Sequence, residues 1–290
     1  MNNETKGLIL IFICMIVSGL FPVVGKYAMV KLHPLFFSSA SALVCAGFIF
    51  LFLLARGEVQ ALFGKDFKLL FLIGLFGTGL SSLFFFYGTR LTSGINSALL
   101  LQIEPIYSLL LGYFMLKERI SIRQVLLTLM VISGVTLVIY NGTFAFNRGD
   151  FLILATPLFW QLCHAFAKKA LVRQSFYVVA ASRTLFGGLF LLAANLLAGR
   201  NDLSILDLNL FLLILFQGIV VYAVGFLTWY SAIRWVNLSK GTAIAAPYPI
   251  LSVVLAWFFL GEVPTMYHLA GLVLILSGAL LLSRIRSEKR

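Results

Sequence analysis

Apolar residues run along this chain in stretches of about twenty, and the short intervals between them carry turn-forming or basic residues. The stretches fall at 7–29, 35–55, 69–88, 94–116, 122–140, 150–168, 177–199, 209–232, 238–260 and 266–283, the fifth and sixth being the shortest. A hydrocarbon core about 30 Å thick takes roughly 20 helical residues to cross, so the pattern predicts ten transmembrane helices. Membrane-spanning strands would instead alternate in polarity over segments of about ten residues, and the sequence has no such segments. The first stretch, MNNETKGLILIFICMIVSGL, has one lysine before it and no small-x-small cleavage site, so a retained helix is expected rather than a cleaved signal.

Composition sharpens the picture. Hydrophobic residues make up 61% of the 290 and charged residues only 11%, where soluble domains carry about a quarter charged. The expected fold class is therefore all-α integral membrane, with the lipid bilayer as a partner. Cys14, Cys45 and Cys163 all lie inside apolar stretches without metal-ligand spacing, which reads as core packing. The net charge of +12 sits in short loops, so it indicates topology rather than nucleic-acid binding. With both termini on the inner side, sixteen Lys and Arg fall inside and five outside, Arg183 lying within a span. Basic residues favour the cytoplasmic side, so both termini are expected there.

The two halves repeat. A shift of 144 residues lays 86–118 over 230–262, matching Arg90 with Arg234, Pro105 with Pro249, Ile106 with Ile250, Ser108 with Ser252 and Glu118 with Glu262. The same shift pairs Ser133-Gly134 with Ser277-Gly278, and slightly smaller shifts pair Lys26 with Lys168 and Gly47 with Gly188. Domains are expected at 1–145 and 146–290, each of five helices. An odd number of crossings turns the second repeat upside down, and inverted repeats of this kind characterise transporters.

Three segments carry a family resemblance: NSALLLQIEPIYSLLLGYFMLKERIS, GTAIAAPYPILSVVLAWFFLGEVPT and ASRTLFGGLFLL around Arg183. With ten helices in two repeats, the chain resembles the EamA family of the drug/metabolite transporter superfamily over nearly its whole length. The resemblance implies a bacterial inner-membrane exporter or exchanger of small metabolites, often amino acids, with a central cavity lined mainly by helices 1, 3, 4, 6, 8 and 9. One departure is Ala42, where the family's second-helix arginine would stand in the first repeat.

Glu104 is the eleventh of the 23 residues at 94–116, close to the midplane. An ionised acid facing lipid there costs at least ~2.5–3.5 kcal/mol, so it must face protein or a wet cavity. It could bind a cationic substrate group, carry a proton in exchange for substrate, or stay neutral and bond a freed carbonyl. Pro105, Pro247 and Pro249 lack N–H groups and are expected to free the carbonyls of Leu101, Ala243 and Ala245, as hinges or ligand contacts. At helical spacing Ser97, Leu101, Glu104 and Ser108 share a face, as do Trp160, His164 and Lys168. Tyr248 is the repeat counterpart of Glu104, and Tyr222 adds a second phenol. The expected substrate site is thus Glu104, Tyr248, Trp160, His164, Ser97, Ser108 and Tyr222. Tyr87 and Trp229 are expected as interface anchors, and Glu118 and Glu262 as helix-end anchors. Arg183, about 9 Å from its helix end at 1.5 Å per residue, is expected to snorkel outward or pair with carbonyls.

No HExxH, GxSxG, metal-ligand cluster or phosphate loop is present in the sequence, so neither an enzyme nor any cofactor is expected. The expected function is secondary transport of small polar metabolites, amino acids or relatives, by a monomer or homodimer. The alternative is a flippase for lipids or lipid-linked sugars.

Overall fold

The computed structural model describes residues 3–116, 118–119, 121–143, 147–200, 202–233, 235–236, 241, 244–284 and 288–289. Arg234, Lys117, Lys240, Arg286, Arg290 and Ala243, which entered the charge and repeat arguments, lie outside the described residues. The architecture is helical. Helices α1 (Asn3–Met29), α2 (Pro34–Arg56), α3 (Phe67–Leu91), α5 (Ile122–Tyr140), α6 (Arg148–Ala170), α7 (Phe176–Leu197) and α8 (Leu208–Ala232) are each long and apolar enough to cross a membrane. The eighth such span, Gly94–Leu111, falls in a fourth helix that is broken into α4a (Gly94–Leu100) and α4b (Glu104–Leu116). Two shorter apolar helices follow, α9 (Tyr248–Leu260) and α10 (Met266–Ser283). The short members therefore come late in the chain, since α5 and α6 run to 19 and 23 residues. Phe114, Leu197, Phe258 and Phe259 are well exposed, as apolar side chains are when lipid replaces water.

The break in the fourth helix is a short 3₁₀ turn, Leu101–Ile103, after which α4b restarts at Glu104. Helix α9 begins at Tyr248, 144 residues later, and both segments are 13 residues long. Pro105 and Pro249 each occupy the second position of a helix, where the N–H would lack a helical acceptor in any case. This corrects one expectation: the Leu101 carbonyl is not orphaned, because the tight turn brings the Glu104 N–H onto it. Likewise the Pro247 carbonyl accepts from the Ile250 N–H at 3.0 Å. What the breaks leave over is used between the halves. The Gln102 side-chain amide donates to the Ala246 carbonyl at 3.2 Å, and these two positions are themselves 144 apart. Helices α3 and α8 widen into π-helical turns at Leu75–Leu80 and Phe216–Val224, which overlap under the same shift.

The halves interlock: α2 packs along α7, α5 along α10, and α1 against both α8 and α9. Small residues permit the closest crossings, as expected where lipid offers no hydrophobic drive for association. A Cβ added to Gly187 would lie 2.6 Å from the Gly74 carbonyl oxygen and 2.6 Å from the Thr78 Cβ, whereas one on Gly47 would meet nothing within 4 Å. Gly187→Ala is therefore expected to lower stability by about 1–3 kcal/mol through overpacking, and Gly47→Ala to leave it within about 0.5 kcal/mol. Thermal melting of the detergent-solubilised variants checks both.

Candidate functional site

A cavity of about 760 Å³ occupies the middle of the bundle and reaches the surface beside Lys168 and Val172, the latter 81% exposed. Its walls come from α1, α3, α4b, α6 and α8 together with the residues leading into α9. Gln124 of α5, Arg183 of α7 and Ala279 of α10 complete it. Along α6 and α8 only the C-terminal halves contribute, so the cavity is confined to the midplane and one end of the molecule.

Glu104 lies in this wall because it opens α4b, at the point where the helix restarts. Its Oε1 accepts a hydrogen bond from Gln161 Nε2 at 2.6 Å, and His164 Nδ1 lies 3.9 Å away. Gln161 and His164 are three residues apart on α6, hence on one face. Both Glu104 and His164 keep about a third of their side chains exposed to the cavity. Tyr248, Trp160, Ser108 and Pro105 also line it. Tyr222 bonds Ser82 through its hydroxyl at 3.2 Å. The Phe21 ring bridges the aromatic wall, with ring centres 6.1 Å from Trp160 and 6.0 Å from Tyr222.

Ser97 is not part of this set. It is fully buried away from the cavity, and its hydroxyl donates to the Ser93 carbonyl at 2.8 Å. The helical-spacing argument fails there because three residues of 3₁₀ turn advance 120° each rather than 100°, swinging α4a out of register with α4b. Pro247 and Pro249 shape the start of α9 without lining the cavity. Trp229 is a cavity residue rather than an interface anchor, its ring 6.5 Å from His164.

Of the two courses expected of Arg183, it takes the second, pairing with a carbonyl rather than snorkelling. It is 95% buried and points inward, donating from Nη2 to the Gly77 carbonyl at 2.9 Å and from Nη1 to the Tyr230 hydroxyl at 3.1 Å. The guanidinium stands 4.2 Å over the Phe226 ring. Gly77, within the π-helical turn of α3, makes the room: a Cβ there would collide with Cys163 Sγ and stand 3.1 Å from Arg183 Nε. Such turns recur at functional sites, but they leave no mark in sequence periodicity.

The opposite end is sealed by polar contacts. The Glu262 carboxylate accepts from the Gly94 and Ile95 N–H groups at 2.7 and 2.8 Å, capping α4a. Lys26 donates to the Thr89 and Thr92 carbonyls. Asp150 accepts from the Thr92 hydroxyl and from the Asn96 amide, whose oxygen lies 3.0 Å from His268 Nε2. Among the described residues, no three His, Cys, Asp or Glu side chains gather as metal ligands.

The profile of the EamA-like transporter family matches residues 5–140 and again residues 147–284. This chain belongs to that family. An uncharacterised transporter of Methanothermobacter thermautotrophicus is 24% identical over 93% of this chain and 84% of its own length. A probable amino-acid metabolite efflux pump of Salmonella typhimurium is 26% identical over 93% and 92%. A solved crystal structure at 20% identity superposes with a TM-score of 0.70, covering 95% of both chains, which speaks to the fold. This EamA-like transporter is thus a multi-pass membrane protein whose helices enclose a cavity holding an acid, an imidazole and a guanidinium.

Water access gives a direct check on that geometry. In a cysteine-free background, Ser108→Cys is expected to react with a water-soluble maleimide and Ser97→Cys to stay protected. Equal labelling of the two would contradict the rotation at the 3₁₀ turn.

Proposed function

We propose that this EamA-like transporter is a ten-span carrier of two inverted five-helix repeats, 1–145 and 146–290, exporting or exchanging small polar metabolites, chiefly amino acids or their relatives. Its membrane is the bacterial inner membrane, with both termini in the cytoplasm. On that orientation the Lys168 end of the cavity faces the cytoplasm and the Glu262 end faces outward, which makes this an inward-open state. Substrate enters between α4b, α6 and α8, and the outer contacts part when the halves rock.

One observation carries the reading: an acid at the restart of a broken helix, held by Gln161 and about a third open to a cavity that reaches a single face. Helix breaks at membrane depth are tolerated where they line a cavity, and they mark substrate sites in carriers. In the proposed cycle Glu104 holds either a proton or the substrate's cationic group, so that one displaces the other. His164, Tyr248, Trp160, Tyr222 and Ser108 surround the bound molecule. Pro105 and Pro249 fix the two breaks, and Pro247 the approach to the second. The name of the Salmonella relative supports an amino-acid substrate, as does the mixture of charge and aromatic surface.

Counterflow in proteoliposomes tests this. The wild type is expected to exchange radiolabelled amino acids and to respond to an imposed pH gradient. Glu104→Gln should lose the response while retaining measurable exchange. A variant matching the wild type in every condition would make the acid purely structural.

A further inference from the structure

Arg183 is a buried cation of the cavity that the reading above leaves unused. Among the described residues no carboxylate lies within ion-pair distance of it, and its Nε has no hydrogen-bond acceptor. Two of its five N–H groups are engaged, one by Gly77 and one by Tyr230. Buried charges in proteins are ordinarily paired, and intramembrane charges that line a cavity, held by one another or by backbone carbonyls, mark substrate and ion paths. The cavity also holds Glu104, which stands on α4b while Arg183 stands on α7, and among the described residues no ion pair within 4.0 Å joins the two.

We propose that Arg183 is a carboxylate-binding residue of the cavity, so that the preferred ligands are zwitterionic α-amino acids with an aromatic or bulky apolar side chain. The ligand's carboxylate takes the open donors of the guanidinium, and a planar fork suits a carboxylate better than a point charge does. Its ammonium group takes Glu104. The side chain lies against Phe21, Trp160 and Tyr222, the Phe21 ring centre standing 6.1 Å from that of Trp160 and 6.0 Å from that of Tyr222. Gly77 and Tyr230 act as positioning residues that hold the guanidinium in the wall. A carboxylate with no amine would bind by the Arg183 end alone, and an amine with no carboxylate by the Glu104 end alone. The inference rests on the cavity's being the transport site, and it specifies which substrates that site accepts.

Isothermal titration of the full-length protein in detergent separates the two ends. The probes are phenylalanine, 3-phenylpropanoate and 2-phenylethylamine, each against wild type, Arg183→Gln, Arg183→Lys and Glu104→Gln. The wild type should bind phenylalanine more tightly than either fragment. Arg183→Gln should weaken 3-phenylpropanoate by about a hundredfold, the worth of a pair of charge-assisted hydrogen bonds, and leave 2-phenylethylamine within about threefold. Glu104→Gln should do the reverse. Arg183→Lys, which keeps the charge and loses the fork, should show a smaller loss of carboxylate affinity, and it carries the test if the Gln variant fails to fold. Unchanged 3-phenylpropanoate affinity in both Arg183 variants would overturn the proposal, as would a wild type that binds the amine but not the carboxylate. Either result would leave the Glu104 reading standing. A wild type that binds none of the three probes would bring down the amino-acid reading and this inference together.

Discussion

Hydrocarbon offers no hydrogen-bond partner, so a helix interrupted in mid-membrane must rebond its own backbone. The fourth helix of this transporter meets that demand in a small space. The 3₁₀ turn Leu101–Ile103 lets the Glu104 N–H reach the Leu101 carbonyl, and Pro105 follows where no N–H is required. Across the interface the Gln102 amide occupies the Ala246 carbonyl. Because the break is closed in this way, Glu104 can sit at a fresh helix start with its carboxylate aimed at Gln161 rather than at a spare backbone group. The neutral, backbone-bonded acid that the sequence also allowed has no orphan carbonyl at Leu101 to serve.

A symmetric scaffold thus frames an asymmetric site. The breaks and the Gln102–Ala246 contact obey one shift, and the π-helical turns overlap under it, but the charged groups of the cavity do not. Tyr248 stands where Glu104 would recur. Ala42, where the family's second-helix arginine would stand in the first repeat, is fully buried at the α2–α7 crossing; a Cβ on Gly188 would sit 3.2 Å from its Cβ. A guanidinium has no room there. The first half therefore contributes an acid to the cavity and the second half the basic Lys168 and Arg183, and the cavity between them has a direction even though its frame does not.

What was legible in the sequence is what hydropathy and composition encode. The apolar stretches located the helices, the repeated proline located both breaks, and the rarity of an intramembrane acid drew attention to Glu104. Local geometry was less legible. Ser97 satisfied the helical spacing and still turned away, since a 3₁₀ turn leaves residue types unchanged while altering the angle between them. The direction of Arg183 depends on Gly77, which lies 106 residues away in sequence. Trp229 has an anchor's place near a span end, yet its ring lines the cavity 6.5 Å from His164. Gln102 carries no periodic signal, being one amide beside a conspicuous acid, although its repeat counterpart, Ala246, flanks the second break.

The sealed end has an energetic character that suits a carrier. Its contacts are hydrogen bonds that the Glu262 and Asp150 carboxylates accept and Lys26 donates, with His268 beside Asn96, all at the end of α3 and the start of α4a. Each such bond contributes a net ~0.5–1.5 kcal/mol, so the set amounts to a few kcal/mol. Moving a two-state equilibrium from 1:99 to 99:1 takes about 5.5 kcal/mol, which is of the same order. A seal of interlocked apolar side chains would have been harder to open, because its parts must separate together. Polar contacts can break singly as water enters, and α4a is joined to α4b by only the three residues of the 3₁₀ turn. The capped segment can therefore swing on that turn without unfolding α4b, where Glu104 is mounted. In the proposed cycle the turn separates what must move from what must hold the substrate.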